Sequence, residues 1–177
     1  MGTPLHWADG PWPGRLALAA RPRGGDWLED ELAAWKRAGI DVVASMLTPE
    51  EERDLELQRE SGLTCALGME FVSLPIPDRE TPPSEAAAIT TVEDLNRKLS
   101  NGKNVVIHCR QGVGRAGMIA SCLLIANGIP VERAIGSLSV VRGIPIPDTP
   151  EQSDWLDHFA EISRVSGLPV DAVRMAS

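Results

Sequence analysis

The segment His108-Cys109-Arg110-Gln111-Gly112-Val113-Gly114-Arg115-Ala116-Gly117 sets a thiol six positions ahead of a guanidinium, with Gly112 and Gly114 between them. A loop of that length can curl until successive N–H groups point inward, because the two glycines accept backbone angles that other residues avoid, and converging amides make an anion nest. Arg110, Gln111, Gly112, Val113 and Gly114 would supply that backbone, and the planar fork of Arg115 can grip two oxygens of a phosphoryl group while its phosphorus faces the sulfur. A free thiol titrates near ~8.5, but a helix N-terminus, inward amides and a neighbouring arginine favour the thiolate, and comparable settings reach about 3.5 to 7.5. The chemistry implied is nucleophilic attack by Cys109 on a bound phosphate ester. A buried, inert cysteine is the competing reading, and the glycines, arginine, strand and helix falling into place together favour the nucleophile.

The elements that must hold this loop are legible on both sides of it. Asn104-Val105-Val106-Ile107-His108 is a continuous apolar strand, and Arg115 to Ala126 reads as a helix ended by Asn127-Gly128. Arg15-Leu16-Ala17-Leu18-Ala19 reads as a first strand, Trp27 to Ala38 as a helix stopped by Gly39, and Asp41 to Leu47 as a strand buried between two layers. Thr48-Pro49-Glu50-Glu51 is a capping box with proline at the first helical position. Cys65 to Pro75 alternates enough for one or two further strands, Pro75 to Pro83 is a proline-stiffened loop, and helices follow over Pro82–Ser100, Val131–Val141 and Pro150–Val165. Strands alternating with helices predict an α/β fold, a three-layer sandwich with a central, mainly parallel sheet whose ligands bind beyond the carboxyl ends of the strands.

With 177 residues, 43% of them apolar, the chain suits one compact domain that buries roughly 70% of the surface its unfolded form exposes. Residues 1–14, rich in proline, glycine and tryptophan, are expected to form an arm without regular structure, and residues 15–177 the single catalytic domain. A net charge of −8 argues against nonspecific nucleic-acid or anionic-membrane binding, which needs surplus Lys and Arg. No apolar run is long enough to span a bilayer. Three cysteines, Cys65, Cys109 and Cys122, lack the spacing of a disulfide framework or a zinc cluster, so a cytoplasmic protein without metal or cofactor is expected.

The loop from His108 resembles the active-site signature of the protein-tyrosine phosphatase superfamily: His-Cys, five residues, then Arg, usually followed by Ser or Thr. The resemblance runs roughly from Gly39 to Phe159, and the short chain is most similar to the compact, atypical dual-specificity phosphatases. It implies a phosphoric monoester hydrolase in which Cys109 attacks phosphorus, a cysteinyl-phosphate forms and water releases it, acting on phosphorylated protein or another phosphate monoester. Asp78, 31 residues before Cys109, falls where the family keeps a general acid on a movable loop, with Glu80 as the alternative. The resemblance further implies that His108 buttresses the loop by hydrogen bonding. Arg142 stands where relatives brace the loop, though a solvated helix end also explains it. Gln152 has two readings, orienting the hydrolytic water or completing a capping box in Thr149-Pro150-Glu151-Gln152. Ala116 departs from the family, replacing the hydroxyl that helps the thiolate leave, and predicts slower hydrolysis of the intermediate. Cys65 and Cys122 are core residues or redox partners of Cys109.

Two other functions fit parts of the pattern. Sulfurtransferases and arsenate reductases also use an anion-cradling cysteine loop, but sulfur transfer needs no distant acid such as Asp78. A binding module that holds phosphate esters without turnover would find support in Ala116 but would need neither the thiol nor the proton donor.

Overall fold

The computed structural model describes residues 2–167, so the last ten residues of the expected 15–177 domain lie outside the described residues. Five strands, β1 (His6–Ala8), β2 (Leu16–Ala20), β3 (Val42–Ser45), β4 (Glu70–Ser73) and β5 (Val105–Cys109), form one sheet in the order β1-β2-β5-β3-β4. All neighbours pair in parallel except β1 with β2. The strand ending in the thiol is the central one, in register with β2 through Ala20 and Cys109 and with β3 through Ser45 and His108.

Alternation along the strands assigns the two faces. Leu16, Leu18, Val105, Ile107 and Cys109 face a core shared with α4 (Glu85–Ser100), α5 (Arg115–Ala126), α6 (Val131–Arg142) and α7 (Pro150–Ser166). Ala17, Ala19, Val43 and Val106 face a second core with Leu28, Leu32 and Trp35 of α1 (Leu28–Arg37). The short helices α2 (Pro49–Asp54) and α3 (Glu60–Ala66) follow β3. The result is the expected three layers. All twelve residues of α5 are buried, as an apolar helix at the centre of its layer must be.

Two local expectations are corrected. Residues 6–8 are not irregular: they add an antiparallel strand to the free edge of β2, pairing His6 with Leu18 and Ala8 with Leu16. The arm is pinned further by the Trp12 indole, which donates to Asn96 Oδ1 at 2.7 Å. Proline and glycine did not prevent this, because an edge strand needs only a short extended stretch. Cys65 is not on a strand. It lies near the end of α3, and after Gly68 turns the chain at a φ of +78°, β4 begins only at Glu70. A short, partly apolar run does not separate helix from strand by periodicity alone.

Candidate active site

The loop between β5 and α5 is held by its carbonyl groups. The Arg110 carbonyl accepts from Arg21 N–H at 3.3 Å, the Gln111 carbonyl from Arg142 Nη2 at 2.9 Å, and the Gly112 carbonyl from Arg142 Nε at 3.0 Å. In a trans peptide the N–H points opposite to the C=O, so three carbonyls turned outward direct the amides of Gln111, Gly112 and Val113 toward the inside of the loop. None of these three amides donates to a protein acceptor among the described residues. Gly112 makes the curl possible: its φ is +72°, and a Cβ there would lie 2.3 Å from the Ala19 carbonyl oxygen. α5 then starts at Arg115 with no side-chain cap and no acidic residue in its first turn. Its N-terminal amides and the positive end of its dipole are left to an anion.

Cys109 lines a cavity of about 150 Å3 together with Asp78, Arg79, Arg110, Gln111, Val113, Gly114, Arg115 and Asp148. Cys109 is only 3% exposed, so access to it is through this opening. Arg115, 1% exposed, is fixed before any ligand arrives. Its Nη1 donates to Glu51 Oε2 at 2.6 Å and to the Ile76 carbonyl at 2.8 Å, and its Nη2 to Glu51 Oε1 at 2.9 Å and to Asp78 Oδ1 at 3.0 Å. Glu51 therefore takes the end of the guanidinium. On the side edge the second Nη2 proton is taken by Asp78 Oδ1, which lines the same cavity as Arg115.

Burial raises the affinity of Glu51 for a proton, but the hydrogen bonds from Arg115, the Thr48 N–H and Arg110 outweigh it and hold the carboxyl at about 2. Thr48 and Glu51 form the capping box visible in the sequence, so a helix cap also supplies the partner of the arginine. Sequence reading missed that second role, since nothing in the spacing of residues 51 and 115 couples them.

The structure brings Cys109, Arg115 and Asp78 together with Arg110, Gln111, Val113 and Gly114 around one cavity. Glu80 does not line the cavity; its carbonyl accepts from Gln152 Nε2 at 3.0 Å. Gln152 completes the capping box with Thr149. Arg142 braces the loop, as described, and its Nη1 also meets His6 Nε2 at 3.0 Å, so β1 joins the support. The His108 side chain departs from its expected role. It lies on the opposite face of β5, 5.9 Å from the Trp35 ring, and its Nε2 pairs with Glu60 Oε1 of α3 at 2.7 Å instead of with the loop. Cys65 is exposed on α3, and Cys122 is fully buried in α5, where desolvation pushes its thiol well above the usual range. Among the described residues no helix is long and apolar enough to cross a membrane.

Comparison with known proteins places the chain in a family and matches its fold. A family model described as a polymorphic toxin system DSP-PTPase phosphatase matches residues 17–129. Cyclin-dependent kinase inhibitor 3 of Rattus norvegicus is 36% identical over 128 residues, covering 71% of this chain and 60% of the relative. The Homo sapiens protein of that name is 36% identical over 89 residues, 49% of this chain and 42% of the relative. The chain thus spans no more than 60% of the length of these relatives. Kinase associated phosphatase (KAP), with serine in place of its catalytic-site cysteine, has the same fold: the TM-score is 0.85 at 24% identity over 93% of this chain and 97% of that one. Tk-PTP in its active form gives 0.70 at 26% identity over 84% and 92%. A family match that spans more than half of the chain and contains the whole Cys109–Arg115 loop makes this chain a member of the DSP-PTPase phosphatases.

Proposed function

We propose that this chain is a cysteine-dependent phosphomonoester hydrolase of the dual-specificity type, working through a cysteinyl-phosphate. The observation that carries the reading is the outward turn of the Arg110, Gln111 and Gly112 carbonyls, which aims the following amides at the space above Cys109. Phosphate oxygens take those amides and the side edge of Arg115, displacing Asp78 Oδ1 from Nη2, and the Cys109 thiolate attacks phosphorus in line with the ester oxygen. As the S–P bond forms and the P–O bond breaks, Asp78 gives its proton to the leaving oxygen. Water then attacks the phosphocysteine, its proton passes to Asp78, and thiolate and inorganic phosphate separate.

The substrate is read as a phosphorylated protein or another phosphate monoester. The three unpaired cysteines suit a reducing, cytoplasmic setting. The catalytic unit is taken as one domain from residue 15 onward, with the 1–14 arm strapped to its edge.

The test is hydrolysis of an aryl phosphate in the presence of chelator, with vanadate as inhibitor. Metal-independent turnover that vanadate blocks and that Cys109→Ser abolishes is the expected result. Tight ester binding by the wild type without turnover, or turnover untouched by Cys109→Ser, overturns it.

A further inference from the structure

The loop that carries Asp78 is a tight turn that does not hold itself. Glu80 N–H closes it onto the Pro77 carbonyl at 3.0 Å, and Arg79, at its third position, has a φ of +63°, a left-handed conformation that glycine adopts freely and arginine does not. Besides the bond from Arg115 Nη2 to Asp78 Oδ1, two contacts hold this turn, both from the corner where α7 begins. One is the Arg79–Asp148 ion pair at 3.0 Å, with side chains 64% and 43% exposed and therefore weak. The other is buried. Gln152, 0% exposed, donates through Nε2 to the Glu80 carbonyl at 3.0 Å, while its Oε1 accepts from the N–H groups of Asp148 and Thr149 at 3.1 and 3.2 Å. The corner also touches the anion loop, since a Cβ on Gly114 would lie 2.9 Å from Asp148 Cβ and 3.1 Å from Gln152 Oε1.

We infer that Gln152 is a positioning residue for the acid loop, its side-chain amide fixing Asp78 over Cys109 through the Glu80 carbonyl, and that it does not orient the hydrolytic water. Both polar ends of the amide are engaged with backbone, and the group it steadies is two residues from the proton donor. The inference rests on the reading of Asp78 as general acid. It makes a distinction in kinetics: a residue that positions the acid affects formation of the phosphoenzyme, most of all when the leaving alcohol is poor, whereas a residue that orients water affects only its breakdown.

Gln152→Glu separates this role from helix capping, because glutamate also serves at the third position of a capping box but offers the Glu80 carbonyl no donor. The experiment measures single-turnover formation of the phosphoenzyme with a series of phosphate monoesters, from nitrophenyl to alkyl. Asp78→Asn should steepen the dependence on leaving group. Gln152→Glu should do the same in part, losing roughly 10- to 100-fold with the alkyl ester and less than about threefold with the nitrophenyl ester. Gln152→Ala, which also removes the cap contact, should show the same steepening together with a lower melting temperature. A Gln152→Glu enzyme with the wild-type dependence overturns the inference, whether its phosphoenzyme breaks down slowly, which would return Gln152 to the water, or normally, which would leave it a helix cap. If Asp78→Asn itself keeps the wild-type dependence, the reading of Asp78 falls and this inference with it.

Discussion

One carboxylate holds both terminal nitrogens of the phosphate-gripping arginine: Glu51 accepts from Arg115 Nη1 at 2.6 Å and Nη2 at 2.9 Å. A positive charge at the first position of a buried helix opposes the helix dipole and would be costly alone. Glu51 pairs it, and Asp78 Oδ1 meets the remaining Nη2 proton on the side edge. The arginine therefore need not find its orientation when substrate binds, which is where preorganised sites gain their advantage.

Glu51→Gln should weaken both the fold and the grip. The folded-state value of about 2 lies below the ordinary 4.5, so Glu51 stabilises the protein fully above about pH 4.5, by about 3 kcal/mol, and progressively less as the pH falls toward 2. Urea unfolding should show the largest gap between wild type and Glu51→Gln at neutral pH, narrowing through that window. KM for an aryl phosphate should rise about tenfold or more at pH 7. A gap in unfolding free energy that stays constant from pH 7 to pH 3 counts against the pairing.

Asp78→Asn should divide binding from chemistry. Asp78 Oδ1 sits 3.0 Å from Arg115 Nη2, at the margin of the edge that a phosphate would use. Asparagine keeps the shape of the side chain and loses the transferable proton, so inorganic phosphate or vanadate should bind at least as tightly. Turnover of esters with poor leaving groups should fall by about 10²- to 10⁴-fold. Weaker phosphate binding in this variant would mean that Asp78 supports the cradle instead of acting on the leaving oxygen.

Arg142→Ala removes two donors from the outward carbonyls of Gln111 and Gly112. Each charged hydrogen bond of this kind contributes about 1.5–3 kcal/mol to holding its acceptor. The loop should lose its inward set of amides part of the time, read as a rise of about tenfold or more in the inhibition constant for phosphate. Melting should fall as well, since the same side chain ties α6 to the loop and, through His6, to β1. A variant with unaltered phosphate affinity would make Arg142 the solvated helix end that the sequence alone also allowed.

The parts of the molecule that were legible in the sequence are those fixed by short-range rules. The apolar strand Val105–Cys109, the glycines of the loop and the helix from Arg115 each follow from local pattern, and together they locate the cradle. The capping boxes at Thr48 and Thr149 were equally local. What stayed hidden is what distant elements share. Glu51 caps its own helix and reaches an arginine 64 positions away, and His108 finds Glu60 across 48 positions. Neither partnership leaves a periodic trace. Cys65 and β1 were misread for a related reason: edge pairing and the placement of a short helix are decided by what they pack against, not by the composition of a few residues.

Gly112→Ala tests the curl of the loop directly. The added methyl would meet the Ala19 carbonyl oxygen at 2.3 Å, a distance that real Cβ atoms essentially never show, and the φ of +72° is strained for alanine as well. Either the loop shifts or β2 does. Since Ala20 is the register partner of Cys109, both routes displace the nucleophile from the amides around it. The expected outcome is a loss of aryl phosphate turnover of about 10²-fold or more, with a folded protein by circular dichroism. Normal turnover would show that the loop does not depend on this backbone conformation.

Ala116→Ser addresses the second half of the reaction. Ala116 is fully buried at the second position of α5, one residue past the gripping arginine. A hydroxyl introduced there without a partner would be destabilising, and the Cys109 sulfur is the partner the family resemblance supplies. Its value to the enzyme appears when the phosphocysteine breaks down, because a donor to the sulfur stabilises the departing thiolate. It contributes little to attack, where the same donor would weaken the nucleophile. Pre-steady-state assays with an aryl phosphate should therefore show an unchanged or slightly slower burst, followed by a steady state faster by several-fold, each tenfold corresponding to about 1.4 kcal/mol of barrier. A steady state unchanged or slowed beside an intact burst would mean that breakdown of the intermediate does not wait on the leaving thiolate.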